Sequence, residues 1–416
     1  MRRRPAILGG KPVFDIPLQV VKPSLPGFEQ IEARLRNVFD TGILSNNAKF
    51  VQQLEDTACG HLGVRNCIAM CNGTLTLILA LKALQLTGKV VVPSFTFCAT
   101  VHAIKWAGLE PVFADIDPQT FNITPETISR VLTPEVSAIM PVHVFGMPCD
   151  IDGICRLAEE RSLKIVWDSA QAIGSTYQDK PLGSFGDAES FSTHATKVVP
   201  AGEGGLVTTN NDQFAETLRS MRAFGVHGDV DCSFIGLNAK MAEIPAILAI
   251  EGFKSLESSI SHRRTLVNIY REQLSQVPGT TFQAEPEGAV SNYQNFAVVI
   301  DCDEFGIARD DLFRALKAEN IIARKYFFPP IHSTTAYADT FEEADAGLPT
   351  TNHISDRVIC LPLYSDMPAT FVERVCAAIS DIQAFAPALQ RDPRLNVAPS
   401  AFGRFAPGIS SSAQQS

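Results

Sequence analysis

Residues 64–86 read VRNCIAMCNGTLTLILALKALQL: a short β-prone run, a tight polar turn at Asn72-Gly73-Thr74, then an apolar helical pattern over 75–86. A strand that passes through one small turn directly into a helix is half of a βαβ unit. The same alternation continues downstream. Residues 89–93 lead to a helical pattern over 98–107, 111–114 lead to 125–132, 137–144 lead to 151–161, and the run 163–167 ends at Asp168. Strand-like runs at 188–192 and 205–209, then a helix over 213–224, complete the series. This is an α/β chain, and about seven strands with helical crossovers predict a mostly parallel seven-stranded sheet covered on both faces.

Around that unit, the sequence predicts an N-terminal arm over 1–19, a large α/β domain over 20–250 and a smaller C-terminal α+β domain over 251–385. A connecting helix is expected over 241–259, with strands at 294–300 and 321–326 and helices at 308–319 and 369–385 in the smaller domain. The Pro-, Ser- and Gln-rich end, 386–416, reads as a flexible tail.

The chain has 416 residues, 45% hydrophobic and 19% charged, a balance that excludes a disordered or coiled-coil protein. Thirty-five Lys and Arg against 45 Asp and Glu leave a net charge of −10, which repels nucleic acid and anionic membrane surfaces. Small phosphorylated ligands stay compatible with that charge, because local backbone N–H groups hold them. No run reaches the roughly 18 apolar residues of a membrane span. Arg2-Arg3-Arg4 is followed by Pro5 rather than by a long apolar stretch, so the start does not read as a secretory signal, and the protein is expected to be cytoplasmic. Ten cysteines without a C-x-x-C, and eight histidines without metal-ligand spacing, predict free thiols and no metal site.

Three constellations carry possible chemistry. Asn72-Gly73-Thr74 opens a helix, where free N–H groups and the helix dipole face any anion; taken alone, it reads equally as an ordinary turn and cap. Asp168 stands at the carboxyl end of a hydrophobic strand, placed either to pair with a protonated ring nitrogen or to cap a helix. Lys197 follows a small, hydroxyl-rich turn and precedes apolar Val198-Val199-Pro200, surroundings that lower an amine's pKa and suit a Schiff base with an aldehyde; a lone lysine is more often a solvated surface residue.

The order of these elements, with Phe97 after the second strand, resembles the layout of fold-type I pyridoxal-phosphate enzymes. More narrowly, the chain resembles the DegT/DnrJ sugar aminotransferases from Phe39 to about Phe385. The segments that carry this are Gly42-Ile-Leu-Ser-Asn-Asn47, Asn72-Gly-Thr74, Val92-Pro-Ser-Phe-Thr-Phe97, Glu110-Pro-Val-Phe-Ala-Asp115, Pro141-Val-His-Val-Phe-Gly146, Asp168-Ser-Ala-Gln-Ala172, Ser192-Thr-His-Ala-Thr-Lys197 and Gly202-Glu-Gly-Gly205.

The resemblance implies pyridoxal 5'-phosphate as cofactor, with the pyridoxamine form alternating with it. Lys197 would carry the cofactor and shuttle protons, and Asp168 would hold the ring nitrogen protonated. Phe97 would stack on the ring, Gln171 would sit near its 3-oxygen, and Gly73, Thr74 and Ser192 would cradle the phosphate. Asn238 would reach the phosphate of a neighbouring subunit, implying a homodimer with shared sites. Asn46, Asn47 and His332 match segments that border the sugar and nucleotide. One departure is Thr193, where the family more often carries a bulky aromatic.

By the same resemblance the protein transfers an amino group from glutamate to C4 of a nucleotide-linked 4-keto-6-deoxy sugar such as dTDP-4-dehydro-6-deoxyglucose. The alternatives are a keto-cyclitol, a 3-keto sugar or another ketone as substrate, or a non-catalytic regulator on the same fold. A nicotinamide-dependent oxidoreductase is disfavoured, because no G-x-G-x-x-G opens the first βα unit.

Overall fold

A computed structural model describes residues 2–227, 231–338 and 347–392. Its main sheet contains β1 (Asn66–Met70), β2 (Lys89–Pro93), β3 (Glu110–Ala114), β4 (Val136–Ile139) and β5 (Lys164–Asp168). After a hairpin of two-residue strands, β6 (Thr176–Tyr177) and β7 (Lys180–Pro181), the chain returns to it as β8 (Ala188–Ser192) and β9 (Gly205–Thr209). The order is β1-β9-β8-β5-β4-β2-β3. Only β9 runs against the rest, pairing antiparallel with both β1 and β8. This is the mostly parallel seven-stranded sheet expected of the α/β pattern.

Both faces of the sheet are apolar, which is why its strands read as continuous hydrophobic runs. Successive side chains of a strand point to opposite faces. Thus Cys67 and Ala69 of β1, Val91 of β2 and Trp167 of β5 enter one core, while Ile68, Met70, Val90, Val92 and Val166 enter the other. Two helices, α1 (Phe28–Thr41) and α2 (Lys49–Leu62), precede β1, and α3 (Gly73–Ala83) follows it, buried from Thr76 to Leu81. A fourth, α4 (Cys98–Trp106), starts at Phe97 and follows β2.

The strand expected over 137–144 ends at Ile139. Beyond it, Pro141 has no N–H to give to a ladder, and the chain continues by a single bridge of Val142 to Asp168 and a 3-10 turn at Val144–Gly146, in which Phe145 takes φ 60°. The connecting helix is two helices, Glu243–Lys254 and Leu256–Leu274, broken at Ser255. Residues 321–326 form no full strand: Ile321 and Arg324 make isolated bridges to Leu18 and Cys360. The third strand of the second sheet is instead Val358–Leu361, which pairs with Phe296–Ile300, itself paired with Thr280–Phe282.

A separate core forms over this second sheet from Tyr270, Phe296, Phe305, Leu312 and Ile379, and Phe14 and Leu18 from the N-terminal segment belong to it. The buried Glu319 carboxylate holds that segment, accepting from the Ala6 and Val13 N–H groups at 2.7 and 2.9 Å and pairing with Arg3 at 2.8 Å. Of the expected tail, Ala386–Leu389 form a short helix with Ala386 and Leu389 buried; residues 393–416 lie outside the described residues. Among the described residues no helix is long and apolar enough to cross a membrane, and no group of three or more His, Cys, Asp or Glu is placed to hold a metal ion. All ten cysteines are free.

Candidate active site

At the carboxyl edge of the sheet a cavity of about 420 Å³ opens where α3, α4 and the turns after β5 and β8 converge. Gly73, Thr74, Phe97, Asp168, Gln171, Ser192 and Lys197 all line it. The anion cradle follows from helix geometry. The first four N–H groups of an α-helix have no partner within it. In α3, the Asn72 side chain accepts from Leu75 N–H at 2.9 Å and the Asn72 carbonyl from Thr76 N–H at 3.3 Å, which leaves the Gly73 and Thr74 N–H groups unused. The Ser192 hydroxyl accepts from His194 N–H at 3.2 Å, so its own proton is free to donate.

Glycines make the cradle possible. A Cβ added at Gly73 would stand 3.1 Å from the Ser192 Cβ, and one at Gly205 would stand 2.7 Å from the Gly73 nitrogen. The start of β9 thus presses against the turn that carries the two free N–H groups, with no room for a side chain.

Asp168 ends β5 and is 5% exposed. Its Oδ2 accepts from the Thr100 hydroxyl at 2.7 Å and its Oδ1 from Ala170 N–H at 3.1 Å. Thr100 is bonded in turn to Thr96 at 2.8 Å, so a hydroxyl chain from α4 fixes the carboxylate's plane. Burial raises the Asp168 pKa, against the lowering effect of the Thr100 and Ala170 bonds and of the Lys197 charge. A carboxylate so placed is strengthened by a cationic ring nitrogen.

Lys197 keeps part of its surface, but that surface faces the cavity. Burial pushes its pKa down to about 8, with Asp168 opposing the shift. Near neutral pH a useful fraction of the amine is therefore unprotonated, the state a nucleophile or general base needs. The backbone of its turn is held by Lys197 N–H to His194 carbonyl at 2.9 Å and Ala195 N–H to Gly202 carbonyl at 2.8 Å.

Phe97, the N-cap residue of α4, is 57% exposed, an unusual exposure for a phenyl ring that lines a cavity and the surface a flat aromatic ligand would cover. Gln171 Oε1 accepts from Phe145 N–H at 2.7 Å, which fixes the amide and turns its NH₂ group to other use. Thr193 is fully buried against Gly204, where an added Cβ would fall 2.2 Å from its Oγ1. An anion cradle, a stacking face, a buried carboxylate and a near-neutral amine fit pyridoxal phosphate group by group.

Four other expected residues lie outside this cavity. Asn238 is exposed, bridged to Ala223 through its backbone. Asn46 and Asn47 stand in left-handed conformation, φ 69° and 56°, on the loop between α1 and α2. His332 is buried at 2% exposure, its Nδ1 2.7 Å from the Ser94 hydroxyl, which also accepts from its backbone N–H. That bond holds the imidazole against Ser94, just past β2, and His332 is not among the residues that line the cavity. Conversely, Thr100, Gln19, Asn295, Arg324 and Tyr326 line the cavity without any sequence signal having marked them. Thr100 is an ordinary helical threonine in the sequence, and the others reach the site only through tertiary packing.

Such a site, at the carboxyl edge of an open α/β sheet, is that of a pyridoxal-phosphate-dependent aminotransferase. The chain belongs to the DegT/DnrJ/EryC1/StrS aminotransferase family, whose sequence profile matches residues 27–380. It is 34% identical to a dTDP-4-amino-4,6-dideoxy-D-glucose transaminase of Shigella dysenteriae over 89% of this chain and all of that protein. It is 33% identical to the Escherichia coli enzyme of the same name over 87% of this chain and 97% of the other. Among solved structures, DesI, determined in the presence of its TDP-sugar product, superposes with a TM-score of 0.88 at 36% identity, covering 94% of this chain and 98% of DesI.

Proposed function

We propose that the protein transfers an amino group from glutamate to C4 of a nucleotide-linked 4-keto-6-deoxy sugar, dTDP-4-dehydro-6-deoxyglucose being the specific candidate. The observation that carries the reading is the pairing of the near-neutral Lys197 amine with the buried Asp168 carboxylate in one cavity with a free anion cradle. The choice of sugar is supported by the Shigella, Escherichia and DesI relatives.

When bound, pyridoxal phosphate supplies an electrophilic carbon for an amine and a ring that takes up the electron pair of a breaking C–H bond. The protein's part is to hold and move protons. The Gly73 and Thr74 N–H groups and the Ser192 hydroxyl would hold the phosphate, and Phe97 would offer its face to the ring. Asp168 holds the proton on the ring nitrogen, its own plane fixed by Thr100. The Lys197 amine, unprotonated in part near neutral pH, would be the base that takes the proton from the α-carbon of glutamate. The same amine returns a proton to the sugar's C4 in the second half of the cycle.

The active unit in this reading is a homodimer. Phe224, Phe234, Ile235 and Leu237 expose 50%, 37%, 95% and 42% of their surfaces on the segment that also carries Asn238. Four exposed large apolar side chains on one segment support an interface there. In this reading the exposed Asn238 on the same segment is the group offered to the neighbour's phosphate site. Sedimentation at twice the mass of one chain is the expected result.

A panel of ketones tests the substrate. Protein loaded with cofactor and supplied with glutamate is expected to aminate dTDP-4-dehydro-6-deoxyglucose at least about tenfold faster than a 3-keto nucleotide sugar or a free keto-cyclitol, each misfit group costing roughly 1–3 kcal/mol in the transition state. Faster turnover of either competitor, read by mass spectrometry of the product, overturns the choice.

A further inference from the structure

Part of the cavity wall comes from the segment that leads into the strand Phe296–Ile300. Gln294 lines the cavity at 3% exposure, and its Nε2 donates to the Thr196 carbonyl at 2.8 Å. That carbonyl belongs to the same peptide unit as the Lys197 N–H, which donates to the His194 carbonyl at 2.9 Å. A peptide unit is planar and stiff. Held at its oxygen and at its nitrogen, it fixes where the Lys197 Cα stands. The His194 bond is local to the turn, whereas the Gln294 bond spans 98 residues and ties the turn to another part of the chain.

Gln294 is anchored in its turn. Its own N–H donates to Asn292 Oδ1 at 2.9 Å, and its carbonyl accepts from Arg263 Nη2 at 2.8 Å. Arg263, buried on the helix Leu256–Leu274, also donates from Nε and Nη2 to the Tyr293 carbonyl at 3.0 and 2.8 Å. Asn292, 1% exposed, donates from Nδ2 to the Gln171 and Ile173 carbonyls at 2.9 and 2.8 Å, in the turn after β5. Residues 292–294 thus bind the turn that follows Asp168 and the turn that carries Lys197 to one clamp. A reacting group is placed well when the residues that support it are themselves locked by hydrogen bonds. Without the Gln294 donor, the peptide unit before Lys197 loses its long-range anchor.

We propose that Gln294 is a positioning residue for Lys197: it sets the place of the amine without touching a substrate. It thereby governs two steps. One is condensation of the amine with the cofactor's aldehyde, in which a C=N bond forms and the carbonyl oxygen leaves as water. The other is transfer of the α-proton of glutamate to the amine. The proton-transfer step rests on the aminotransferase reading, the condensation only on Lys197 being the lysine that takes the cofactor.

Gln294→Met keeps the length of the side chain and removes the donor. Gln294→His keeps a donor, because the imidazole Nε2–H stands about as far along the side chain as the glutamine Nε2. Cofactor-free protein is mixed with pyridoxal phosphate in a stopped-flow spectrometer, and growth of the lysine-bound absorbance band is timed on the folded fraction, which circular dichroism measures separately. Gln294→Met is expected to capture the cofactor at least about tenfold more slowly, within the roughly 10²-fold that a displacement of about 1 Å can cost, and Gln294→His to recover most of the rate. With glutamate carrying deuterium at its α-carbon, the isotope effect on kcat is expected to rise in Gln294→Met while KM for glutamate holds, since a displaced base slows proton transfer and leaves binding alone. If Gln294→Met does not fold, Gln294→Leu, which also lacks the donor, takes its place. A wild-type capture rate and isotope effect in the donor-less variant overturn the proposal, whatever happens to the thermal midpoint. So does an equal loss in Gln294→Met and Gln294→His, which would trace the effect to side-chain shape and not to the bond. Capture rates that follow the proposal, beside a wild-type band that glutamate leaves unchanged, would sink the aminotransferase reading alone. A wild-type protein that captures no pyridoxal phosphate overturns both.

Discussion

Replacing Lys197 by alanine lowers turnover by at least about 10²–10⁴-fold, the usual contribution of one positioned general base, and more in practice because the covalent attachment of the cofactor is lost with it. The fold should survive. The Lys197 ammonium is disfavoured by burial, so removing it relieves a desolvation cost rather than breaking a pair on which packing depends. A thermal midpoint close to wild type beside a nearly dead enzyme is the expected combination. The same burial fixes a pH dependence. Because the pKa is lowered to about 8, the neutral, nucleophilic amine grows as pH rises through 8 and is complete above it. The rate at which Lys197 captures added pyridoxal phosphate therefore climbs through that range and then levels, where an exposed lysine would go on climbing toward about 10.4. Stopped-flow absorbance across pH 6.5–9.5 reads this directly, about 1.5 units either side of the expected midpoint.

Asp168→Asn is the second large effect, about 10²–10³-fold in turnover, comparable to removing one preorganised electrostatic partner from a reacting group. Asparagine keeps the size and accepts from Ala170 N–H as the carboxylate does. Its NH₂ group would face the Thr100 hydroxyl, which can reverse and donate along the chain to Thr96. What is lost is the negative charge that keeps the ring nitrogen protonated. Since burial already raises the Asp168 pKa, the neutral asparagine is no harder to bury, and the cofactor-free variant should be as stable as the parent or slightly more so. Turnover that falls while stability holds, with an altered absorbance band, separates an electronic role for Asp168 from a structural one. Unchanged turnover would remove it from the mechanism.

The sheet side of this site was legible in the sequence because the chemistry and the fold use the same residues. Asp168 ends a strand, and Asn72-Gly73-Thr74 and Lys197 stand in the turns that follow strands; strand ends are marked by apolar runs that stop at a polar residue. Order along the chain then did what single motifs could not. The opposite wall left no such trace. Arg324 lies in a segment that looks like a strand and forms only isolated bridges, because Val358–Leu361 takes the ladder beside Phe296–Ile300. Asn295 stands beside an apolar strand and would pass for its polar start. The Thr100 bond to Asp168 spans 68 residues and depends on where α4 packs against the end of β5, which no local pattern encodes. His332 depends on a contact of the same long-range kind: its ring lies 2.7 Å from the hydroxyl of Ser94, 238 residues away.

The near-ultraviolet and visible spectrum of the purified protein with pyridoxal phosphate, taken before and after glutamate and then after the keto sugar, tests the assigned chemistry most directly. An absorbance band of the lysine-bound cofactor that glutamate shifts to the pyridoxamine form, and that dTDP-4-dehydro-6-deoxyglucose restores, is the predicted sequence, absent in Lys197→Ala. A protein that shows no band even with added cofactor, or a band indifferent to glutamate, would contradict the claim that Lys197 and Asp168 work as an aminotransferase pair.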